Sequence, residues 1–99
     1  MQATASAILF KSDSDFLVWT QQQPEGVVVN LRYYLNADYA VLHRATCGSL
    51  VVRRYDEGAL TTRAYLKVGA QTEEMLRQWL SANVIRSAGF TQRCGICRP

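Results

Sequence analysis

Apolar residues recur along this chain with two different periods, and the switch between them outlines the fold. The run VVVNLRYY (27–34) is rich in β-branched and aromatic residues, the composition of a strand. LNAD then turns the chain into YAVLH, so the two segments read as a β-hairpin that delivers His43 at its end. Further on, SLVVRRY (49–55) is a strand candidate, DEGA (56–59) a turn, and AYLKV (64–68) a strand of alternating character. Two stretches change to the helical period. SDSDFLVWTQQQPEG (12–26) offers Ser12 and Asp13 as N-cap candidates, places acids in the first turn and spaces Phe16 and Trp19 on one face. Pro24 and Gly26 end it. TEEMLRQWLSAN (72–83) has Thr72 as its N-cap, Glu73 and Glu74 against the positive helix end, and an apolar stripe of Met75, Leu76, Trp79 and Leu80. SAGF then turns the chain back. Trp19 and Trp79 read as core anchors against the sheet. The expected fold is α+β: a small antiparallel sheet with two short helices.

The 99 residues suit one domain, 1–99, of which 48% are hydrophobic and 19% charged, the balance of an ordinary globular chain. A core of this size is modest, and a covalent or metal staple would add to it. The one apolar N-terminal run, ASAILF, is too short to span a bilayer and lacks a basic leader and a small-residue cleavage site, so no membrane is expected and the reading is cytoplasmic. The net charge of +3 is unevenly placed. Residues 1–50 carry three basic against four acidic side chains, whereas residues 51–99 carry eight against four. The basic character lies in the C-terminal half.

Cysteine supplies the candidate chemistry. Three thiols cannot all pair within one chain, and a reducing compartment disfavours disulfides, so metal is the better reading. The third thiol, Cys47, follows the only histidine, His43, by four residues, and Cys94 and Cys97, with two residues between them, lie near the C-terminus. HxxxC, 46 residues, then CxxC gives three thiolates and one imidazole, a closed tetrahedral set for structural Zn2+ that joins two knuckles. Each residue alone would be unremarkable, since single cysteines are commonly small buried hydrophobes. The pattern matters because all the Cys and His of the chain fall into two ligand-like pairs. With His43 assigned to metal, no free histidine remains to activate a Ser or Cys nucleophile, and no small-molecule cofactor motif such as GxGxxG is present.

YAVLHRATCGSL, AYLKVGAQTEEMLRQWL and AGFTQRCGICRP together resemble the N-terminal metal-binding domain of the Ada DNA-alkylation repair family, over Tyr39 to Pro99. In that family a CxxxC pair is followed by a strand, a short helix, an AGF turn and a CxxC-type pair ending in Pro. The chain also looks like a group of small uncharacterised bacterial domains with a W…P.G.VVN lead-in followed by LHRA.C. The Ada resemblance implies a zinc-bound cysteine that accepts a methyl group from a DNA phosphotriester, but the matching position here is His43. Histidine cannot repeat that chemistry. Four thiolates around zinc carry −2, whereas three thiolates and an imidazole carry −1 and a weaker drive for alkylation.

The favoured function is a non-catalytic zinc-stabilised module that binds nucleic acid. Its phosphate contacts would come from Arg44, Arg93 and Arg98 beside the ligands, with Arg86, Arg53 and Arg54 from the basic half. The alternative is a zinc-stapled protein-interaction module, an adaptor or inhibitor, in which the basic half is a solvated face. An enzyme, either a residual alkyl acceptor at Cys47, Cys94 or Cys97 or a site built on Asp and Glu, ranks third.

Overall fold

The computed structural model describes residues 7–51 and 60–99. In chain order the elements are β1 (Ile8–Leu9), α1 (Asp13–Gln22), β2 (Val27–Arg32), β3 (Ala40–Arg44), a 3-10 helix (Gly48–Val51), β4 (Tyr65–Ala70), α2 (Glu73–Asn83) and β5 (Gln92–Arg93). The five strands form one sheet in the order β1-β4-β2-β3-β5. The α+β class and the two helices match the sequence reading. Every strand pair is antiparallel except β3 with β5, because the C-terminal segment returns along β3 in the same direction.

Both helices start where their caps predict. Ser12 Oγ accepts from the Asp15 N–H at 3.1 Å, and Thr72 Oγ1 accepts from the Met75 N–H at 3.3 Å. Strand alternation then sends successive residues of the sheet to opposite faces. Val29, Leu31, Leu42 and Val68 pack with Leu76 and Leu80 of α2, while Val28 and Val41 pack with Phe10 and with Phe16 of α1. One helix therefore covers each face. Cys47 and Cys94 belong to the cluster on the α1 face, so the site grows out of a core rather than off a loop.

Trp19 and Trp79 lie half-buried against these two clusters, as their helical spacing predicts. Trp19 comes close to the sheet because Gly69 of β4 has no side chain. A Cβ there would lie 2.9 Å from the Trp19 ring and 3.0 Å from Phe10.

Two features differ from the sequence reading. Ser49 to Val51, read as the start of a strand, are instead part of the 3-10 helix, because the Leu50 N–H turns back to the Cys47 carbonyl at 3.1 Å. The remainder of that strand candidate, with Arg53, Arg54 and the DEGA turn, lies outside the described residues. The two-residue strands β1 and β5 are additions, and β1 falls within the ASAILF run. Among the described residues no helix is long and apolar enough to cross a membrane.

The packing at Gly69 yields a stability prediction. Gly69→Ala must displace the Trp19 ring, and overpacking of this kind costs about 1–3 kcal/mol. Urea denaturation should show a midpoint lowered accordingly. An unchanged or raised midpoint would contradict the Trp19–Gly69 contact.

Candidate metal centre

The four ligand residues come from two parts of the chain that β3 brings together. His43 is the penultimate residue of β3 and is 8% exposed. Immediately after the strand the backbone turns, the Cys47 N–H donating to the Arg44 carbonyl at 3.0 Å, and Cys47 is carried back under His43's end of the sheet. On the other side of β3, Val41 pairs with Gln92 and Leu42 with Arg93, and the Cys94 N–H donates to the Leu42 carbonyl at 2.9 Å. That parallel register sets Cys94 beside His43. The CGIC segment then closes on itself, the Arg98 N–H donating to the Cys94 carbonyl at 3.0 Å, and returns Cys97 to the same point.

The result is one nitrogen and three sulfurs all within 4.8 Å of one another. The Cys47 and Cys94 sulfurs are 3.8 Å apart, and all three cysteines are free thiols. A tetrahedral ion with metal–sulfur bonds of about 2.3 Å has sulfur–sulfur edges of about 3.8 Å. Among the described residues His43 Nδ1 is buried with no hydrogen-bond partner. A buried polar atom left without a partner is costly, and an imidazole nitrogen beside three thiols is a ready metal ligand. The donor set fits a metal ion.

The surroundings act unequally on the sulfurs. The Ile96 N–H donates to Cys94 Sγ at 3.4 Å and the Arg44 N–H to Cys97 Sγ at 3.2 Å, while Ser49 Oγ lies 2.9 Å from Cys47 Sγ. Burial opposes ionisation of Cys94, but the N–H groups of Cys97 and Ile96, with Ser49 and Cys47, bring its thiol down to about 7. Burial raises Cys97; the Arg44 N–H works against this, and the neighbouring Cys47 and Cys94 sulfurs push it further, up to about 11. Burial, and then the Lys67 charge, hold His43 below its ordinary value, so its imidazole is neutral at pH 7 and its lone pair is available.

The arginines placed beside the ligands by sequence have structural work. Arg44 reaches across the knuckle, its Nε donating to the Cys97 carbonyl at 2.9 Å and its guanidinium to the Arg98 carbonyl at 3.0 Å. Arg93 forms a two-pronged pair with Glu73 at the start of α2, at 2.8 and 3.0 Å, and also donates to the Pro99 carbonyl at 3.0 Å. Its hydrogen bonds hold the Glu73 carboxyl below its usual range. Arg86 and Arg98 are exposed, and both have positive φ, 66° and 51°. Sequence reasoning missed Ser49 and Lys67. Ser49 could have been flagged by its position two residues after a ligand. Lys67 is 5% exposed, and no local signal marks it as buried.

The chain matches no protein family, no curated protein and no solved structure. The similarity to Ada therefore rests on the motifs quoted above.

Two outcomes follow from this geometry. Binding at closed sites of this kind is worth about 10–16 kcal/mol, against a total stability of about 5–15 kcal/mol for a small domain. A strong chelator, or Cys97→Ser, should unfold the C-terminal half, with loss of its amide protection in hydrogen exchange; unaltered protection would contradict the site. Metal affinity should also rise with pH. With the metal-free Cys97 thiol near 11, binding at neutral pH must expel its proton. Each proton released contributes about tenfold per pH unit. Chelator competition between pH 6 and 8 should give at least that slope, and a flat profile would contradict it.

Proposed function

We propose that the chain is a non-catalytic zinc-stabilised module, in which His43, Cys47, Cys94 and Cys97 hold one Zn2+ and the protein acts by binding rather than by chemistry at the metal. The observation that carries this reading is the convergence of three sulfurs and one nitrogen within 4.8 Å. Three soft sulfurs with an imidazole in tetrahedral reach suit zinc. Four protein ligands leave no open position for water or substrate, which is the mark of a structural rather than a catalytic site.

The Ada resemblance extends, in this proposal, to the scaffold but not to the repair reaction. The position matching the methyl acceptor is His43, and the three remaining thiolates share a complex of net charge −1 rather than −2. Their sulfurs also accept hydrogen bonds from Arg44, Ile96 and Ser49, which lowers their nucleophilicity further.

The arginine contacts favour the protein-interaction reading over the nucleic-acid one. Arg44 and Arg93 are exposed, but each already spends hydrogen bonds within the fold, Arg44 on the Cys97 and Arg98 carbonyls and Arg93 on Glu73 and the Pro99 carbonyl, which leaves fewer donors for a phosphate. Arg86 and Arg98 are exposed as well, and Arg53 and Arg54 lie outside the described residues. Ile85 and Ile96, at 84% and 75% exposure, add large apolar side chains to the same half of the chain. Protein surfaces use such residues as contacts, and phosphates do not.

Elemental analysis of the purified chain should give one zinc per molecule, and a folded metal-free protein would overturn the proposal. Incubation with methylphosphotriester DNA should leave every cysteine unmodified by mass spectrometry; a stoichiometric methyl on Cys47, Cys94 or Cys97 would restore the repair reading. Fluorescence anisotropy at ~50 mM salt, where electrostatic binding is strongest, should show no retention of DNA or RNA. Binding that weakens steeply with salt would return the nucleic-acid module to first place.

A further inference from the structure

The three sulfurs of the metal centre differ in how they can be reached. Cys47 and Cys94 are 3% and 7% exposed and belong to the buried cluster on the α1 face, whereas Cys97 is only half-buried in the CGIC turn. All three lie within 4.8 Å of one another. A thiolate presented to a metal is also a nucleophile toward peroxide, and its susceptibility follows thiolate character and exposure. Cys97 is the sulfur that meets solvent.

The backbone decides which thiol can close on it. The Arg98 N–H donates to the Cys94 carbonyl at 3.0 Å, which winds Gly95, Ile96 and Cys97 into a turn of helical spacing. Residues three apart on such a turn have Cα atoms about 5 Å from each other, inside the window of about 4.4–6.8 Å that a disulfide spans. Gly95 and Ile96 between them are exposed, so the turn can adjust without disturbing a core. Cys47 is held differently. Its side chain is packed with Phe10, Phe16 and Val28, and its sulfur, 3.8 Å from that of Cys94, would have to close to about 2 Å inside that packing.

Without a metal, little ties the C-terminal segment to the sheet. β5 pairs with β3 at two positions, and the Arg93–Glu73 and Arg44 contacts that support it are exposed. Exposed pairs of this kind contribute little.

We propose that Cys94 and Cys97 form a peroxide-sensitive pair, whose oxidation to a disulfide empties the metal centre and undocks β5 from β3. The Cys97 thiolate attacks hydrogen peroxide, breaking the O–O bond, and becomes a sulfenic acid as hydroxide leaves. The Cys94 thiolate then attacks that sulfur, forming the S–S bond and expelling a second hydroxide. Two protons from solvent complete two waters; each sulfur has given up one electron and the peroxide has gained two. His43 and Cys47 alone then face the site, too few ligands to retain the ion. This rests on the zinc reading above and adds its regulation, with partner docking coupled to oxidation through the edge of β3.

The test uses the full chain loaded with zinc and assayed for one ion per molecule before anything is added. Hydrogen peroxide in slight excess should release that zinc to an indicator too weak to compete with the site on its own. Peptide mapping should then find a Cys94–Cys97 disulfide, with Cys47 still open to alkylation and Met75 unoxidised. Hydrogen exchange should lose the protection of the Thr91 and Cys94 amides, which donate to the Ala40 and Leu42 carbonyls of β3. Fresh zinc alone should not restore it, whereas a phosphine reductant with zinc should. Zinc retained through this treatment, release without the Cys94–Cys97 bond, a disulfide that includes Cys47, or amide protection unchanged after release would each overturn the proposal and leave the zinc reading standing. A chain that takes up no zinc would overturn both.

Discussion

Three thiols and an imidazole packed within 4.8 Å cannot all take their metal-binding forms unless a cation sits among them. Two adjacent thiolates repel, and burial removes the water that would screen them. The opposed displacement of Cys94 to about 7 and Cys97 to about 11 expresses that conflict: one sulfur gains the hydrogen bonds and ionises readily, and its neighbour is held protonated. A divalent ion converts the repulsion into four attractive bonds. The fold around it is arranged as though that conversion had already taken place, with backbone N–H groups of Arg44 and Ile96 aimed at sulfur.

The rest of the molecule holds the two knuckles in register. β3 supplies His43, leads directly into the turn that carries Cys47, and offers its free edge to β5, which delivers Cys94. Because the last strand pairs over only two residues, hydrogen bonding alone would anchor it weakly. Arg44 adds a clamp across the CGIC turn, and the Arg93–Glu73 pair ties the same segment to the start of α2. Exposed ion pairs of this kind contribute little by themselves. They orient a segment that the buried Cys47 and Cys94 side chains anchor and that a metal held by the cluster would stabilise further.

The helices and the ligand set were legible in the sequence for different reasons. Thr72 and Ser12 announce their helices because a capping hydroxyl acts within three residues, and the apolar stripe of α2 repeats at the helical period. The four ligands stood out because they exhaust the chain's cysteine and histidine. What could not be read depends on partners distant in sequence. β5 exists only because it meets β3, and Ser49 to Val51 left the strand pattern because the turn that places Cys47 continues into a 3-10 helix. Arg44 and Arg93 read as surface charge, since nothing local reveals that a carbonyl 53 residues away, or Glu73 20 residues before, will engage them. Lys67 faces the α1 side of the sheet, where its Nζ donates to Asn30 Oδ1 and to the Leu60 carbonyl, and no local pattern reveals the distant Asn30.

The central claim is that these four side chains form the first coordination sphere of one zinc ion. X-ray absorption at the zinc edge, on the chain purified with its native metal, reads that sphere directly. The account predicts three sulfurs at about 2.3 Å and one nitrogen at about 2.0 Å, with no further oxygen. A shell made only of oxygen and nitrogen, or a fifth light ligand from solvent, would contradict it.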